Sequence, residues 1–322
     1  MAVYTHLGAE ELAQLIANYD VGELVSAKGI AEGVSNSNWL IETTGPAGAG
    51  ARYILTMYER RIDLDDLPYF LGLLDHLSEK GCPVPRTIHD SSGASFRKVD
   101  GKTVALIEFL PGVSPTEPTA AQARAVGKAL AEMHLASRDF PLERENTMGF
   151  ADNLQTLERC GRDGLASIDP DLPAILAPAR EAAALDMSGL PRANVHADLF
   201  PDNVLMLGER VTGMIDFYFA CSDTMALDLA TTHAAWCFDR DNAYRPELGE
   251  ALLAGYQGVR PLEPAERDML PAIAKGVTLR FVASRAEDWL DTPEDALVTR
   301  KNPMQFVSRW HSYGELGARM FA

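Results

Sequence analysis

Apolar residues at positions 12, 15, 16 and 19 recur at helical spacing, so Glu10–Tyr19 is predicted as an amphipathic helix. The period then changes. Asn38–Thr43 and Arg52–Glu59 are short runs rich in aromatic and β-branched side chains. The second carries Tyr53, Ile54, Leu55, Thr56, Met57 and Tyr58 in succession. Gly45-Pro46-Ala47-Gly48-Ala49-Gly50 between them is a turn by composition, which makes the pair an antiparallel hairpin. Helical spacing returns over Asp66–Lys80, where Leu67, Phe70, Leu71, Leu74 and Leu77 form one apolar face and Gly81 ends it. Gly93 and Gly101 punctuate a further hairpin whose last strand is Val104–Phe109.

Prolines at 111, 115 and 118 then interrupt the pattern. Beyond them Thr119 and Gln122 form a capping-box pair at the head of an Ala-rich helix reaching about Ser137. Most of the remainder reads as helix, apart from a β-like patch near 204–217. The pattern therefore predicts an α+β chain in two lobes. A β-rich N-terminal lobe spans 1–110, and a mainly helical lobe spans 111–322.

A length of 322 residues accommodates two such lobes. Lys and Arg number 29 against 46 Asp and Glu, a net charge of −17, which argues against a general binder of nucleic acid or anionic membrane. The longest apolar stretch, Val104–Leu110, is interrupted by Glu108 and is too short to span a bilayer. Cys82, Cys160, Cys221 and Cys237 lie far apart, with no Cys-x-x-Cys pair to signal zinc or redox chemistry. Together with an N-terminus lacking a secretory pattern, they read as reduced thiols of a cytoplasmic protein. The partner expected is a small molecule.

The chemistry concentrates in Asn194-Val195-His196-Ala197-Asp198-Leu199-Phe200-Pro201-Asp202-Asn203 and the hairpin that follows. If that hairpin is centred on Glu209-Arg210, residues whose numbers sum to 419 face each other, and Asn203 and Asp216 meet this condition. An amide oxygen and a carboxylate side by side suit Mg²⁺. Asp198, in the loop leading in, is placed to accept a proton from an attacking hydroxyl. His-x-Asp-x-x-x-x-Asn followed by a second Asp is the arrangement of kinase-type phosphoryl transfer. His196 is expected either to share in catalysis or, preferably, to brace the loop.

Upstream, the stretch Gly29 to Asn38 leads into the first strand of the predicted hairpin. Its glycines, Gly29 and Gly33, allow backbone N–H groups to approach phosphate, although an ordinary loop has the same composition. Val104–Phe109 ending in Pro111-Gly112 fits a hinge at which backbone groups of Glu108 and Leu110 contact an adenine edge.

Taken in order, Gly29, Gly33, Asn36-x-Asn38, Ile107-Glu108-Phe109-Leu110-Pro111-Gly112, His196-x-Asp198, Asn203 and Ile215-Asp216 resemble the aminoglycoside phosphotransferase and choline kinase superfamily. Val195 to Phe200, Ile215 to Cys221, Leu67 to Leu71, and Leu279-Arg280-Phe281 with Ser284-Arg285 resemble its type II homoserine kinase branch, and the likeness runs from Tyr4 to about Arg309. The resemblance implies a protein-kinase-like two-lobed fold. It also implies ATP and Mg²⁺ as cofactors, and transfer of the γ-phosphate to the side-chain hydroxyl of L-homoserine for threonine synthesis. Gly29, Gly33, Ser35, Ile54, Thr56, Glu108 and Leu110 would then serve the nucleotide, and Asn203 and Asp216 the metal. Asn36, Asp202, Tyr218, Arg280 and Arg285 would serve the acceptor. The two arginines are candidates for its carboxylate, or else belong to an ion-paired helix face.

One departure stands out. Relatives usually carry a phosphate-facing lysine where this chain has Thr56. Arg52, Arg60 or Arg61 is the expected substitute. The alternatives left open are a kinase for choline or an aminoglycoside, and a nucleotide-binding scaffold without catalysis.

Overall fold

Alternation along the N-terminal strands gathers the largest apolar side chains on one face, and that face packs on the first helix. The computed structural model describes residues 8–30, 36–58, 63–99, 101–293 and 300–321. Helix α1 (Ala9–Ile16) precedes β1 (Leu24–Ile30), β2 (Asn36–Thr43) and β3 (Ala51–Tyr58). Helix α2 (Leu67–Glu79), β4 (Thr87–Ile88), β5 (Arg97–Val99) and β6 (Lys102–Glu108) follow. The strands form one antiparallel sheet in the order β1-β2-β3-β6-β4, with β5 paired to β6. Trp39, Ile41, Tyr53, Leu55, Met57, Val104 and Leu106 make one core with Leu12, Leu15 and Ile16 of α1. The register aligns Asn38 with Thr56 and Ala105, and Leu40 with Ile54 and Ile107. By the period of two, Ile54 and Thr56 therefore lie on the face away from that core.

Contacts divide the chain into two units. The first comprises Met1–Gly112 and Thr212–Tyr218; the second comprises Val113–Val211 and Phe219–Ala322. The sequence pattern left 212–218 with the helical part. Here this segment joins the first unit because the Met214 N–H donates to the Pro83 carbonyl at 2.7 Å and the Tyr218 ring packs edge-on against Tyr58 and Phe70.

The second unit holds α3 (Ala120–Ala136), α4 (Phe150–Ile168), α5 (Leu176–Ala183) and β7 (Arg192–Val195). Then come β8 (Val204–Leu207), β9 (Arg210–Met214), β10 (Cys221–Thr224) and α6 (Met225–Trp236). Last are α7 (Pro246–Gln257), α8 (Pro264–Asp291) and α9 (Met304–Leu316). The chain re-enters the first unit within β9. The capping box at α3 is present: Thr119 N–H donates to Gln122 Oε1 at 3.0 Å, and Gln122 N–H to Thr119 Oγ1 at 3.3 Å. Every residue of α6 is buried, so this helix is the axis around which the unit packs. Helices α3 and α7 cross at backbone distance. A Cβ on Gly127 would lie 2.0 Å from the Leu252 carbonyl oxygen, and one on Gly255 2.0 Å from that of Arg124.

Strands β7 and β10 pair antiparallel, and β8 and β9 form a separate ribbon. The ribbon's turn is Gly208-Glu209, with Gly208 at φ 64°, one position earlier than the centre expected from sequence. A two-residue turn selects the residue able to take positive φ, and here that is the glycine. The sum of 419 that set Asn203 opposite Asp216 therefore does not describe this ribbon. The four cysteines form no disulfide. Among the described residues, no helix is long and apolar enough to cross a membrane.

Candidate active site

Strand β7 delivers the chain into a loop that has few backbone groups left over. At its start His196 and Ala197 donate their N–H groups to Asp228 Oδ2 and Oδ1, both at 2.8 Å. Asp228 lies on α6 and is wholly buried. Burial pushes its carboxyl up, but the hydrogen bond from His134, the charges of His134 and His196, and the His196 N–H hold it below the usual carboxylate range. His134 Nε2 is 3.0 Å from Asp228 Oδ2, and His134 Nδ1 is 2.8 Å from the Tyr256 hydroxyl. Arg260 donates to that hydroxyl at 3.2 Å and to Glu266 Oε2 at 2.8 Å. A buried polar chain thus runs from the loop to the start of α8.

Ala197 has φ 64°, a region that L-residues enter at a cost. Its carbonyl accepts from Arg280 Nη1. Asp198 follows, and its N–H donates to His196 Nδ1 at 3.2 Å. Through that contact the wholly buried His196 side chain braces the loop. The Asp198 carbonyl accepts from the Phe200 N–H and from Asn203 Nδ2, both at 2.8 Å. Trp236 Nε1 donates to the Leu199 carbonyl at 2.9 Å, and Ser114 Oγ to the Asp202 carbonyl at 3.1 Å. Phe200 packs edge-on against Phe281 with ring centroids 5.0 Å apart.

The Asp198 carboxylate is partly accessible, with its side chain 20% exposed. Burial pushes its carboxyl above the usual range, and the charges of Arg280 and His196 act in the opposite direction. Arg280 Nη2 lies 3.8 Å from Asp198 Oδ1, close enough to feel its charge but beyond hydrogen-bond distance. Asn203 spends its amide nitrogen on Asp198, which leaves its oxygen as the donor for a cation.

The two arginines expected at an acceptor carboxylate have other occupations. Arg280 is 4% exposed, with its guanidinium turned into the loop. Arg285 donates to the Asn302 carbonyl at 3.0 Å and to Gln305 Oε1 at 2.7 Å, with its guanidinium 4.6 Å from the Phe306 ring centroid. Burial and the neighbouring charge of Arg309 bring its pKa down to about 10. Both side chains are anchored within the second unit, and neither extends as an open fork.

In the first unit, Thr56 is buried and its hydroxyl donates to Asn38 Oδ1 at 2.9 Å. The Tyr218 hydroxyl donates to that of Tyr58 at 3.3 Å. Burial raises the Tyr58 hydroxyl, and the nearby Asp216 charge raises it further. Asp216 is exposed and sits at φ 66°. Asn36 is buried, and its Oδ1 lacks a partner among the described residues. Arg52 lies two positions from Ile54 on the same strand face but pairs with Glu42 at 3.6 Å and stacks on Phe109. Gly29 stands opposite Trp39 in the sheet. Glu108 gives its N–H to the Arg86 carbonyl at 2.9 Å. Leu110 follows β6 and is partly buried. Gly33, Ser35, Arg60 and Arg61 fall outside the described residues.

Sequence reasoning missed Asp228, His134 and Tyr256. The available signal was the single carboxylate, Asp228, inside the mostly apolar run Met225–Trp236, since a buried charge needs partners.

Residues 26–262 match the Phosphotransferase enzyme family. A homoserine kinase of Hyphomonas neptunium is 46% identical over 319 residues, covering 96% of this chain and 95% of its own length. A homoserine kinase of Acidiphilium cryptum is 43% identical over 99% of this chain and 98% of its own length. Among solved structures, an amicoumacin kinase in complex with AMP-PNP and Ca²⁺ superposes with a TM-score of 0.70 at 15% identity, covering 97% of this chain and 95% of its own. That last likeness is one of fold.

Proposed function

The chain belongs to the phosphotransferase enzyme family, and on that premise we propose that it transfers the γ-phosphate of ATP to the side-chain hydroxyl of L-homoserine. The product is O-phospho-L-homoserine, which supplies threonine synthesis. The observation that carries the acceptor is the full-length likeness to homoserine kinases. The observation that supports the reaction type is the pinned loop around Asp198.

In this reading the acceptor hydroxyl gives its proton to the Asp198 carboxylate as its oxygen bonds to the γ-phosphorus and the bond to ADP breaks. Asp198 needs both a fixed direction and an available oxygen. The bonds made by His196, Ala197, Asn203 and Asp228 fix the backbone on either side of it, while its own carboxylate stays partly open. Asn203 Oδ1 and the Asp216 carboxylate offer the hard oxygens that Mg²⁺ takes, and we assign the ion to them. When bound, Mg²⁺ neutralises charge on the nucleotide phosphates.

Ile54 and Thr56, on the sheet face away from the core, together with Gly29, Gly33, Ser35 and the backbone of Glu108 and Leu110, are assigned to the nucleotide. Asn36, Asp202 and Tyr218 are assigned to the acceptor. A cytoplasmic location fits the use of ATP and free thiols.

The test is ADP release by the purified protein with ATP and Mg²⁺, measured against homoserine, choline, serine, threonine and kanamycin. Homoserine is expected to exceed each of the others by about 10-fold or more in kcat/KM. Turnover with choline or kanamycin alone would move the assignment to another acceptor. ATP binding without turnover on any of them would leave a nucleotide-binding scaffold.

A further inference from the structure

Arg280 is a charged side chain on the buried face of α8, where Val277, Phe281, Val282 and Ala283 are its neighbours in sequence. A buried cation normally faces a carboxylate at hydrogen-bond distance. Among the described residues this one does not: the carboxylate oxygen it approaches is Asp198 Oδ1, at 3.8 Å. Nη1 donates instead to the carbonyl of Ala197, Nη2 reaches Met148 Sδ at 3.6 Å, and Nε is buried without a partner. The guanidinium lies over the rings of both Phe219 and Phe281, 5.3 and 5.2 Å from their centroids. A planar, delocalised cation suits that slot, and an ammonium does not.

The carbonyl it holds belongs to the strained residue of the loop. Ala197 at φ 64° has its N–H fixed by Asp228 and its C=O fixed by Arg280. With both sides of the residue tied, its two backbone dihedrals are set, and they set the direction in which Asp198 leaves the chain. Strained backbone of this kind persists only where its surroundings over-determine it. The guanidinium also stands too far from Asp198 Oδ1 to occupy the lone pair that receives a proton.

We propose that Arg280 is a positioning residue for phosphoryl transfer, holding Ala197 so that Asp198 points at the acceptor hydroxyl, and that it does not bind the acceptor's carboxylate. This rests on the reading of Asp198 as the base.

The test compares Arg280→Met and Arg280→Lys, with and without Ala197→Gly, in steady-state kinetics below their melting temperatures. Both single variants are expected to lose about 10²-fold in kcat, with the KM for homoserine held within about 3-fold. Glycine takes positive φ without the Cβ penalty, so Ala197→Gly is expected to restore kcat by about 3-fold or more in the Arg280→Met background. A general loss of folded protein would not respond to that change. A rise in homoserine KM larger than the fall in kcat, a wild-type kcat in Arg280→Met, or no recovery with Ala197→Gly would each overturn the proposal. Should Arg280→Met fail to fold, Arg280→Lys decides by the same KM and kcat criteria. Asp198→Asn is the control. Near-wild-type turnover there rejects the base itself, whereas an inactive Asp198→Asn beside an Arg280 variant altered only in KM rejects the positioning role alone.

Discussion

The His196–Asn203 loop and the strand face that carries Thr56 both hold buried polar groups, yet they are held in different ways. The loop is fixed through its backbone: Asp228 takes two N–H groups, Arg280 takes one carbonyl, and Asn203 takes another. The sheet face is fixed by the ladder of β2, β3 and β6; on it Thr56 bonds to Asn38, and Tyr58 takes a bond from Tyr218 of the 217–219 segment. A loop has no ladder of its own, so its shape must come from distant side chains in α6 and α8. A strand needs no such help, and its residue types are free to vary with the ligand. The ladder therefore stands whatever side chain position 56 carries.

The comparison breaks most sharply at Asp198. Asp198→Asn keeps the size of the side chain and removes its capacity to take a proton. It is expected to lower kcat by about 10²–10⁴-fold while ATP binding, measured by calorimetry, stays near wild type. Equal losses in turnover and ATP binding would mean that the loop and the nucleotide face are not separable.

Asp228→Asn probes how the loop is held. Two N–H groups need two carboxylate oxygens, and an amide offers one. The buried His134 also loses the charge it faces. A loss of about 3 kcal/mol in urea unfolding is expected, accompanied by a fall in kcat. Unchanged turnover would show that the loop keeps its shape without this anchor.

What could be read in the sequence follows the same division. The β2–β3 hairpin, α2 and the α3 capping box depend on neighbours a few residues apart, and their patterns are plain in the chain. Strand β1 was not legible, because none of its seven residues is buried and it joins the sheet through backbone bonds. The β7–β10 pair joins Arg192–Val195 to Cys221–Thr224 across about a turn of the whole ribbon and loop, too far for a local pattern to indicate. In the loop, the identities of Asp198 and Asn203 stood out by their spacing. Their supports did not, since nothing local in the chain links Asp228 of α6 or Arg280 of α8 to the loop they hold. The β8–β9 turn was misplaced by one residue, because Gly208 rather than Arg210 supplies the left-handed conformation.

Thr56→Val tests the sheet side at smaller scale. It keeps the shape and removes the bond to Asn38, leaving a buried acceptor. About 1 kcal/mol of stability should be lost, and the KM for ATP should change by less than about 10-fold. A larger rise in KM would make the hydroxyl a direct phosphate ligand and bring this face closer to the loop in its demands.

The smallest expected effect lies at the edge of the same sheet. His89 Nε2 is 2.7 Å from Asp75 Oδ2, and its Nδ1 is 3.0 Å from the Gly93 carbonyl. The hydrogen bond to Asp75, and then that to Gly93, raises the His89 pKa. A group whose pKa is raised by folding stabilises the folded state while it is protonated. The contribution is therefore complete below the unfolded value of about 6.5 and fades as pH rises through the higher folded value. The pair is substantially exposed, with side-chain accessibilities of 46% and 23%, so solvent screening keeps the effect under about 1 kcal/mol. His89→Gln should flatten this part of the pH dependence of the urea midpoint between about pH 5 and 8. Because the pair is remote in sequence from the His196–Asn203 loop and bonds only within the first unit, kcat should keep its wild-type pH profile. A shifted kcat profile would instead tie the stability of the sheet to the chemistry of the loop, and the separation of the two regions would fail at its weakest point.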